Sequence, residues 1–523
     1  MTGADEPTGR RRVRTRKTSN TGGRRTTKGT GPPSSAAVQL GSLYFGKAAA
    51  ENEVAQDQDR FMRTYLDRWG LPDAVAKHER FLILGPKGTG KSAAAWYVAL
   101  QWERSLGAHA VISSHVDFDE LNRTQTPLVS LDKKLVSGEV TNLTDAAWKL
   151  FLGVRFLESL VKDPASSSSR DAHSLKLLND LKEAGLASDD YPKVLRTVRE
   201  RKGGIGVPKI VNGEVSKREV ESLSPGQLGD ALLELVLHAE SPNRHLLSID
   251  GLDKAISNND SYWQTLSALI RVADSLRRKA LQARADHLYL LVMCRSDVFR
   301  NVQFADAPKI AADAGVHIEW HAEAAVAREV LLWEYLARKA EISTEELMAF
   351  LPTAVRVGKQ GGVETLRYLL DFTRYTPRDM SLLFSELSAN AVAGRPLNGA
   401  DVRQSCDRFA TQHLLQEIVA EGSGLLPHAV VARIQSLLSN LPKRIFTKAE
   451  FERAMRTAGI TEGISSVELA EYLFLQGAIG NYKPAIGYYQ FYHRRDAYRF
   501  QAAGPWILHT GLVYALNIPW SGN

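Results

Sequence analysis

Two cysteines in 523 residues, Cys294 and Cys406, are too far apart to build a disulfide framework and form no metal-type spacing. They fit a reduced, cytosolic compartment. No apolar run approaches the roughly 18 residues of a membrane span, so no membrane partner is expected. No apolar stretch follows the paired arginines near the start, so no export signal is expected. Net charge is missing from most of the chain as well. The formal charge of +7 equals that of residues 1–35, where Arg10, Arg11, Arg12, Arg14, Arg16, Lys17, Arg24, Arg25 and Lys28 face only Asp5 and Glu6. The alkaline isoelectric point therefore describes a tail, and the remainder balances its acids and bases.

That tail, rich in Gly, Ser, Thr and Pro, cannot bury a core and reads as disordered. It is either an arm for nucleic acid or another polyanion, or a solvated leader or an upstream start codon read too early. The chain as a whole, with 44% hydrophobic and 24% charged residues, has the composition of globular domains. Its length predicts two to four of them.

What is present is sharpest at residues 81–92, FLILGPKGTGKS. An apolar run breaks into Gly85, Pro86, Lys87, Gly88, Thr89, Gly90, Lys91 and Ser92, and a helix-compatible run follows. Strand, glycine loop and helix are the context of a phosphate-binding loop. The glycines let successive backbone N–H groups point at one anion, and the helix start adds its free N–H groups and dipole. In that pattern Lys91 reaches the β- and γ-phosphates and Ser92 holds Mg²⁺.

Apolar strands ending in polar residues recur downstream. Ala110–Val116 ends in Asp117-x-Asp119-Glu120. His245–Ile249 ends in Asp250-Gly251-Leu252-Asp253. His287–Met293 runs into Cys294-Arg295-Ser296-Asp297, and a short fifth strand is expected over Val316–Trp320. Alternation of such strands with helices predicts a parallel sheet covered on both faces. The fold class expected is α/β: a P-loop NTPase three-layer α/β/α sheet, then a helical lid and a C-terminal winged-helix-like α+β module. The boundaries read as a tail over 1–36, a core over 37–325 with an insertion at about 121–240, a lid over 326–397 and the C-terminal module over 398–523. Within the core, residues 51–69 have amphipathic-helical spacing, ended by Leu71-Pro72, and Ser166–Ser169 reads as a loop. Thr376-Pro377 reads as the N-cap and first residue of a lid helix. Helices near 401–420, 428–439, 446–458 and 465–475 and two aromatic strands, 478–482 and 488–493, complete the last module.

Four groups fit one nucleotide pocket. Lys91 and Ser92 form the first. Asp250 at its strand end can hold a Mg²⁺ shell through water, or it is a strand-ending turn residue. Arg295 can touch the γ-phosphate or stabilise transition-state charge, or it forms an ion pair with Asp297 or Asp250. Arg378 at a helix N-terminus can close the lid over the phosphates, or it is surface charge with a partner one turn on.

This set resembles the additional-strand group of P-loop ATPases, especially the AAA+ and STAND-type switch ATPases. Tyr44-Phe45-Gly46, Ala50-Glu51-Asn52-Glu53 and Arg295-Ser296-Asp297-Val298-Phe299 are also similar to segments of a bacterial family of P-loop ATPases. The resemblance implies Walker A at Gly85–Ser92, Walker B at Leu246–Asp250, a sensor-1 position at Arg295, a lid arginine at Arg378, and ATP with Mg²⁺ as ligands. It carries one departure. Many relatives place a glutamate directly after the Walker B aspartate, and here Gly251 stands there. Asp253, Asp119 and Glu120 remain rival bases. Slow hydrolysis follows, and with it a conformational switch that changes a protein contact or self-association. A nucleic-acid-acting ATPase of the initiator type and a scaffold that does not hydrolyse are the alternatives. Lys483, Tyr488, Tyr489, His493, Arg494, Arg495 and Arg499 surround the expected wing, which either meets DNA or packs on the nucleotide domain.

Overall fold

Leu82–Gly85 is buried at every position and forms β1, as a strand covered on both faces must. The computed structural model describes residues 39–117, 137–187, 194, 197–198, 205–211, 214–252, 260–302, 304–320, 326–357, 361–422, 426–494 and 498–520. The chain divides into two units, Met1–Gln39 and Leu40–Asn523. The basic tail lies outside the described residues, as do Asp119, Glu120, Asp253 and Arg495.

After β1 come β2 (Val111–Asp117), the antiparallel hairpin of β3 (Ile205–Val211) and β4 (Glu214–Leu223), β5 (Arg244–Asp250), β6 (Leu288–Arg295) and β7 (Gly315–His317). Five of these pair in parallel in the order β2-β5-β6-β1-β7. β6 thus stands as an additional strand between the glycine-loop strand and the Asp250 strand. Register sets Gly85 beside Arg295 and Asp117 beside Asp250. These four residues end their strands at the carboxyl edge, where open parallel sheets bind ligands.

Helices cover both faces. On one, Lys91–Leu106 buries Ala95, Val98 and Trp102 in the same cluster as Ile83, Leu246 and Met293. On the other, Ser137–Lys162, Pro225–His238 and Asp260–Ala283 share a cluster with Leu82, Leu247, Ile249 and Val292. Two of those three helices come from the stretch read as an insertion, so that stretch supplies part of the sheet's own cover. The serine run there is a short helix, Ser167–Arg170, because the Ser166 hydroxyl accepts from Ser168 N and caps it. Residues 51–69 are not one helix either. Ala50–Gln56 stops at Asp57, whose carboxylate accepts from Arg60 N and starts Gln58–Thr64. Leu71-Pro72 opens a third helix, Leu71–Ala76, since proline fits a first turn as readily as it ends one.

Beyond β7 come the helices Leu332–Ala340, Thr344–Ala349, Thr365–Phe372 and Pro377–Ala389, with a small ladder of β8 (Ala354–Arg356) and β9 (Gly362–Glu364) between the second and the third in the chain. Thr376 caps Pro377–Ala389, accepting from Asp379 N at 3.2 Å. Gly399–Phe409 runs through a π-helical segment, Ala410–Leu414, into Leu415–Ala420. The last module joins β10 (Ile445–Phe446), helices Lys448–Thr457 and Ser466–Leu475, β11 (Ile479–Lys483), β12 (Tyr488–Gln490) and β13 (Trp506–Leu508) in a four-stranded antiparallel sheet. The helix, helix, hairpin order of a winged-helix-like module is present, with β10 and β13 as strands too short to be read from the sequence. Phe446, Phe451 and Trp506 pack ring against ring in its core. No helix among the described residues is long and apolar enough to cross a membrane.

Candidate functional site

The loop after β1 is shaped by its glycines. Gly88 and Gly90 take φ of +81° and +95°, a region side chains avoid. Thr89 steadies the turn by donating from Oγ1 to Pro86 O at 2.8 Å, and the Trp320 indole donates to Thr89 O at 2.8 Å. Lys91 folds back over the loop, with Nζ 3.1 Å from Gly85 O and 3.0 Å from Pro86 O. The Ser92 hydroxyl donates to Asp250 Oδ2. The two groups assigned to a metal shell are thus in contact across the strand that separates β1 from β5. A hydroxyl and a carboxylate in contact, beside an ammonium at a glycine loop, fit Mg²⁺ with a phosphate chain.

Above this floor lies a cavity of about 480 Å³, within the range of small-ligand sites. Lys87–Ser92, Asp117, Asp250 and Arg378 line it. The lid meets the loop directly: Arg378 N donates to Gly88 O at 3.3 Å. A Cβ on Gly88 would come within 3.2 Å of both Thr376 Oγ1 and Arg378 Cβ. The far wall is aromatic. Trp69 and Trp320 meet edge to face at 5.7 Å, and Trp320 meets Tyr335 at 5.5 Å. Glu53 and Lys339 form a buried ion pair on the same wall, 5% and 3% exposed. Burial pulls the Lys339 ammonium below its ordinary range, and the Glu53 carboxylate opposes that pull.

Gly251 has a φ of +72° and donates its N–H to Asp250 Oδ1 at 2.7 Å. A glutamate there would need a left-handed backbone, which explains why the position holds glycine. Of the acidic run ending β2, Asp117 is the described member, and it lines the cavity as Asp250's register neighbour.

Arg295 stands apart from the cavity. It is 5% exposed, donates from Nε and Nη2 to Asp297 at 3.0 and 2.6 Å, and reaches Gln476 Oε1 at 3.1 Å. The ion pair with Asp297 is thus formed. Arg378 lines the cavity, but its guanidinium donates to Ala48 O at 3.0 Å and Glu417 Oε1 at 2.8 Å. Glu417 sits three residues past the π segment. Burial raises its pKa, but Arg374, Arg378 and Lys87 outweigh that and hold it down to about 2.

No protein-family model and no curated protein matches the chain. Two solved structures align with most of it. One is the Aeropyrum pernix ORC1 protein in complex with DNA, at a TM-score of 0.35 and 11% identity, covering 89% of this chain and 95% of that one. The other is the Aeropyrum pernix ORC2 protein in ADPNP-ADP complexes, at 0.34 and 13%, covering 88% and 97%. Likeness this loose has no bearing on function. The strand order and the loop define the fold.

Of the cations near the hairpin of the last module, Lys483 and Arg499 are exposed and Arg494 points inward. Arg494 bonds to Asp371 and lies over the rings of Tyr375, Tyr489 and Phe491 at 5.0–5.7 Å. His493 is buried. Sequence reading missed Asp117, the Glu53–Lys339 pair, the aromatic wall and Glu417. Only Asp117 had a local signal, as the first acid after its strand. The others act through partners far away in the chain.

Proposed function

We propose that this chain is a Mg-ATP-binding P-loop ATPase that works as a slow conformational switch. One observation carries the reading: the glycine loop, the Ser92–Asp250 contact and the lid residue Arg378 face a single cavity. Lys91 and the loop N–H groups would bind the phosphates, with Ser92 and Asp250 holding Mg²⁺, which when bound neutralises charge on the phosphate oxygens. Trp69, Trp320 and Tyr335 would exclude water from the nucleobase end. Asp117, Asp119, Glu120 and Asp253 are the carboxylates proposed as base, with Asp117 added by its place on the cavity wall. Arg295 would act through the strand end beside Gly85. Gly251 supports slow turnover, because its backbone bars the glutamate that faster relatives use. The switch would alter a protein contact or self-association in the cytoplasm.

Lys91→Ala tests the reading. Nucleotide binding should weaken by about 100-fold or more, with hydrolysis lost, because the ammonium on the terminal phosphates is removed. Equal affinity in the variant would refute it. Binding without cleavage, unchanged by Asp117→Asn, Asp119→Asn, Glu120→Gln and Asp253→Asn, would make the chain a scaffold instead.

A second reading, an initiator-type ATPase on DNA or RNA, is favoured by the charge of residues 1–35. DNA-stimulated hydrolysis that falls steeply with salt, and is lost when residues 1–35 are removed, supports it. Stimulation that survives this deletion and is lost with Lys483 and Arg499 would place the contact on the hairpin module.

A further inference from the structure

Glu417 and Glu421 lie one turn apart on Leu415–Ala420 and its C-cap, where two carboxylates repel each other unless cations intervene. Here they meet four cations, two of which line the cavity. Glu417 takes Arg378 from the lid at 2.8 Å and Lys87 from the glycine loop at 3.6 Å, and it also pairs with Arg374. Glu421 takes Lys87 at 3.3 Å, Arg374 at 3.1 Å and Arg295 at 3.8 Å. Its side chain is 1% exposed, and its Oε2 has no hydrogen-bond partner among the described residues. Asp379 and Asp297 complete the set, on Arg374 and Arg295.

Among the described residues, these ion pairs set Lys87, Arg295, Arg374 and Arg378 against Asp297, Asp379, Glu417 and Glu421, four charges of each sign, so that this described set balances. Two of its cations, Lys87 and Arg378, also line the cavity. A phosphate reaching them would add negative charge to a balanced, largely buried set, and like charges in such surroundings repel strongly. Arg374 and Arg295 keep Asp379 and Asp297 whatever happens to the glutamates. The bonds free to exchange are therefore those from Glu417 and Glu421 to Lys87 and Arg378.

We propose that Glu417 and Glu421 compete with the nucleotide's terminal phosphate for Lys87 and Arg378, so that a triphosphate, and not a diphosphate, loosens the helix Leu415–Ala420 from the loop and lid. The proposal rests on reading the cavity as a nucleotide site, and it names the contact by which that site is regulated. The two residues give Lys87 and Arg378 an anionic partner supplied by the chain itself. The π segment at Ala410–Leu414 adds an extra residue to the helical turn just before them and so sets the face on which they project.

Titration of the full chain with Mg-ATP and Mg-ADP tests this. Glu417→Gln and Glu421→Gln, singly and together, should tighten ATP by about ten-fold while leaving ADP nearly unchanged. An unchanged ATP-to-ADP ratio overturns the proposal. Should the substitutions prevent folding, amide exchange on the wild type decides. Exchange over residues 415–422 should rise with a non-hydrolysable ATP analogue and not with ADP, and protection unaltered by the analogue overturns it. Wild type that binds neither nucleotide, or binds as well without Lys91, refutes the nucleotide site itself. Lys91-dependent ATP binding with no effect at the glutamates refutes only the competition.

Discussion

Lys339 and Glu53 show how much a single buried pair can hold in place. The two are 286 positions apart and join the segment before the first strand to the helix Leu332–Ala340. Lys339→Met leaves the carboxylate buried without its cation, which should cost about 3–5 kcal/mol in urea unfolding. Adding Glu53→Leu should recover most of it, because two apolar side chains need no pairing. If the single and double variants are equally unstable, the pair is not what the lysine supplies. Gly88 makes a different demand. Gly88→Ala meets a left-handed backbone and the lid at once and should cost about 1–3 kcal/mol. Its loss should show as weaker nucleotide binding as well as a lower midpoint, since the strained loop is the binding surface. None of these pairings was legible from sequence, because nothing local marks a partner nearly three hundred residues away. The loop itself was legible to the residue, because its glycines, lysine and serine are all local requirements of one anion.

At the scale of elements, the signals that succeeded were those confined to one turn. Thr376-Pro377 marked a helix start, and the structure begins a helix there. Thr376→Ala should cost about 1 kcal/mol through the lost cap. Because Thr376 also abuts Gly88, the same change should weaken nucleotide binding, and a variant with normal affinity would uncouple the lid's start from the loop. The signals that failed were ambiguous in kind. Leu71-Pro72 serves a helix end and a helix start equally well, and the chain used it as a start. Asp57 broke the amphipathic stretch because its carboxylate satisfies an N–H group that a continuous helix would have spent on a carbonyl. The strands β10 and β13 have only two and three residues, which leaves no period to detect.

For the whole molecule, acidity is the simplest probe. Burial lowers His245 from 6.5 to about 4 against the pull of Asp163, and His509 to about 3 against its bond to Thr373 O. Each stays neutral in the fold and protonates more readily when unfolded. The stability they carry is therefore full above pH 6.5 and falls as the pH drops toward 4 and 3. Glu417, lowered from 4.5 to about 2, extends the loss below pH 4.5. The urea midpoint should fall steadily from pH 7.5 to 5, and His245→Asn or His509→Asn should flatten that slope. A midpoint independent of pH across this range would contradict the burial of both rings as neutral groups. The parallel sheet was inferable from alternation alone, yet two of the three helices that cover its second face lie in the stretch read as an insertion.

Trp320 donates its indole N–H to the carbonyl of Thr89, inside the glycine loop, and rests edge-on against Trp69. The loop therefore has a fluorophore attached to its backbone. Any rearrangement of residues 85–92 alters the field around that indole, and its emission should shift when the loop changes shape. The protein needs no label for the motion at its centre to be timed, and Trp320→Phe supplies the blank.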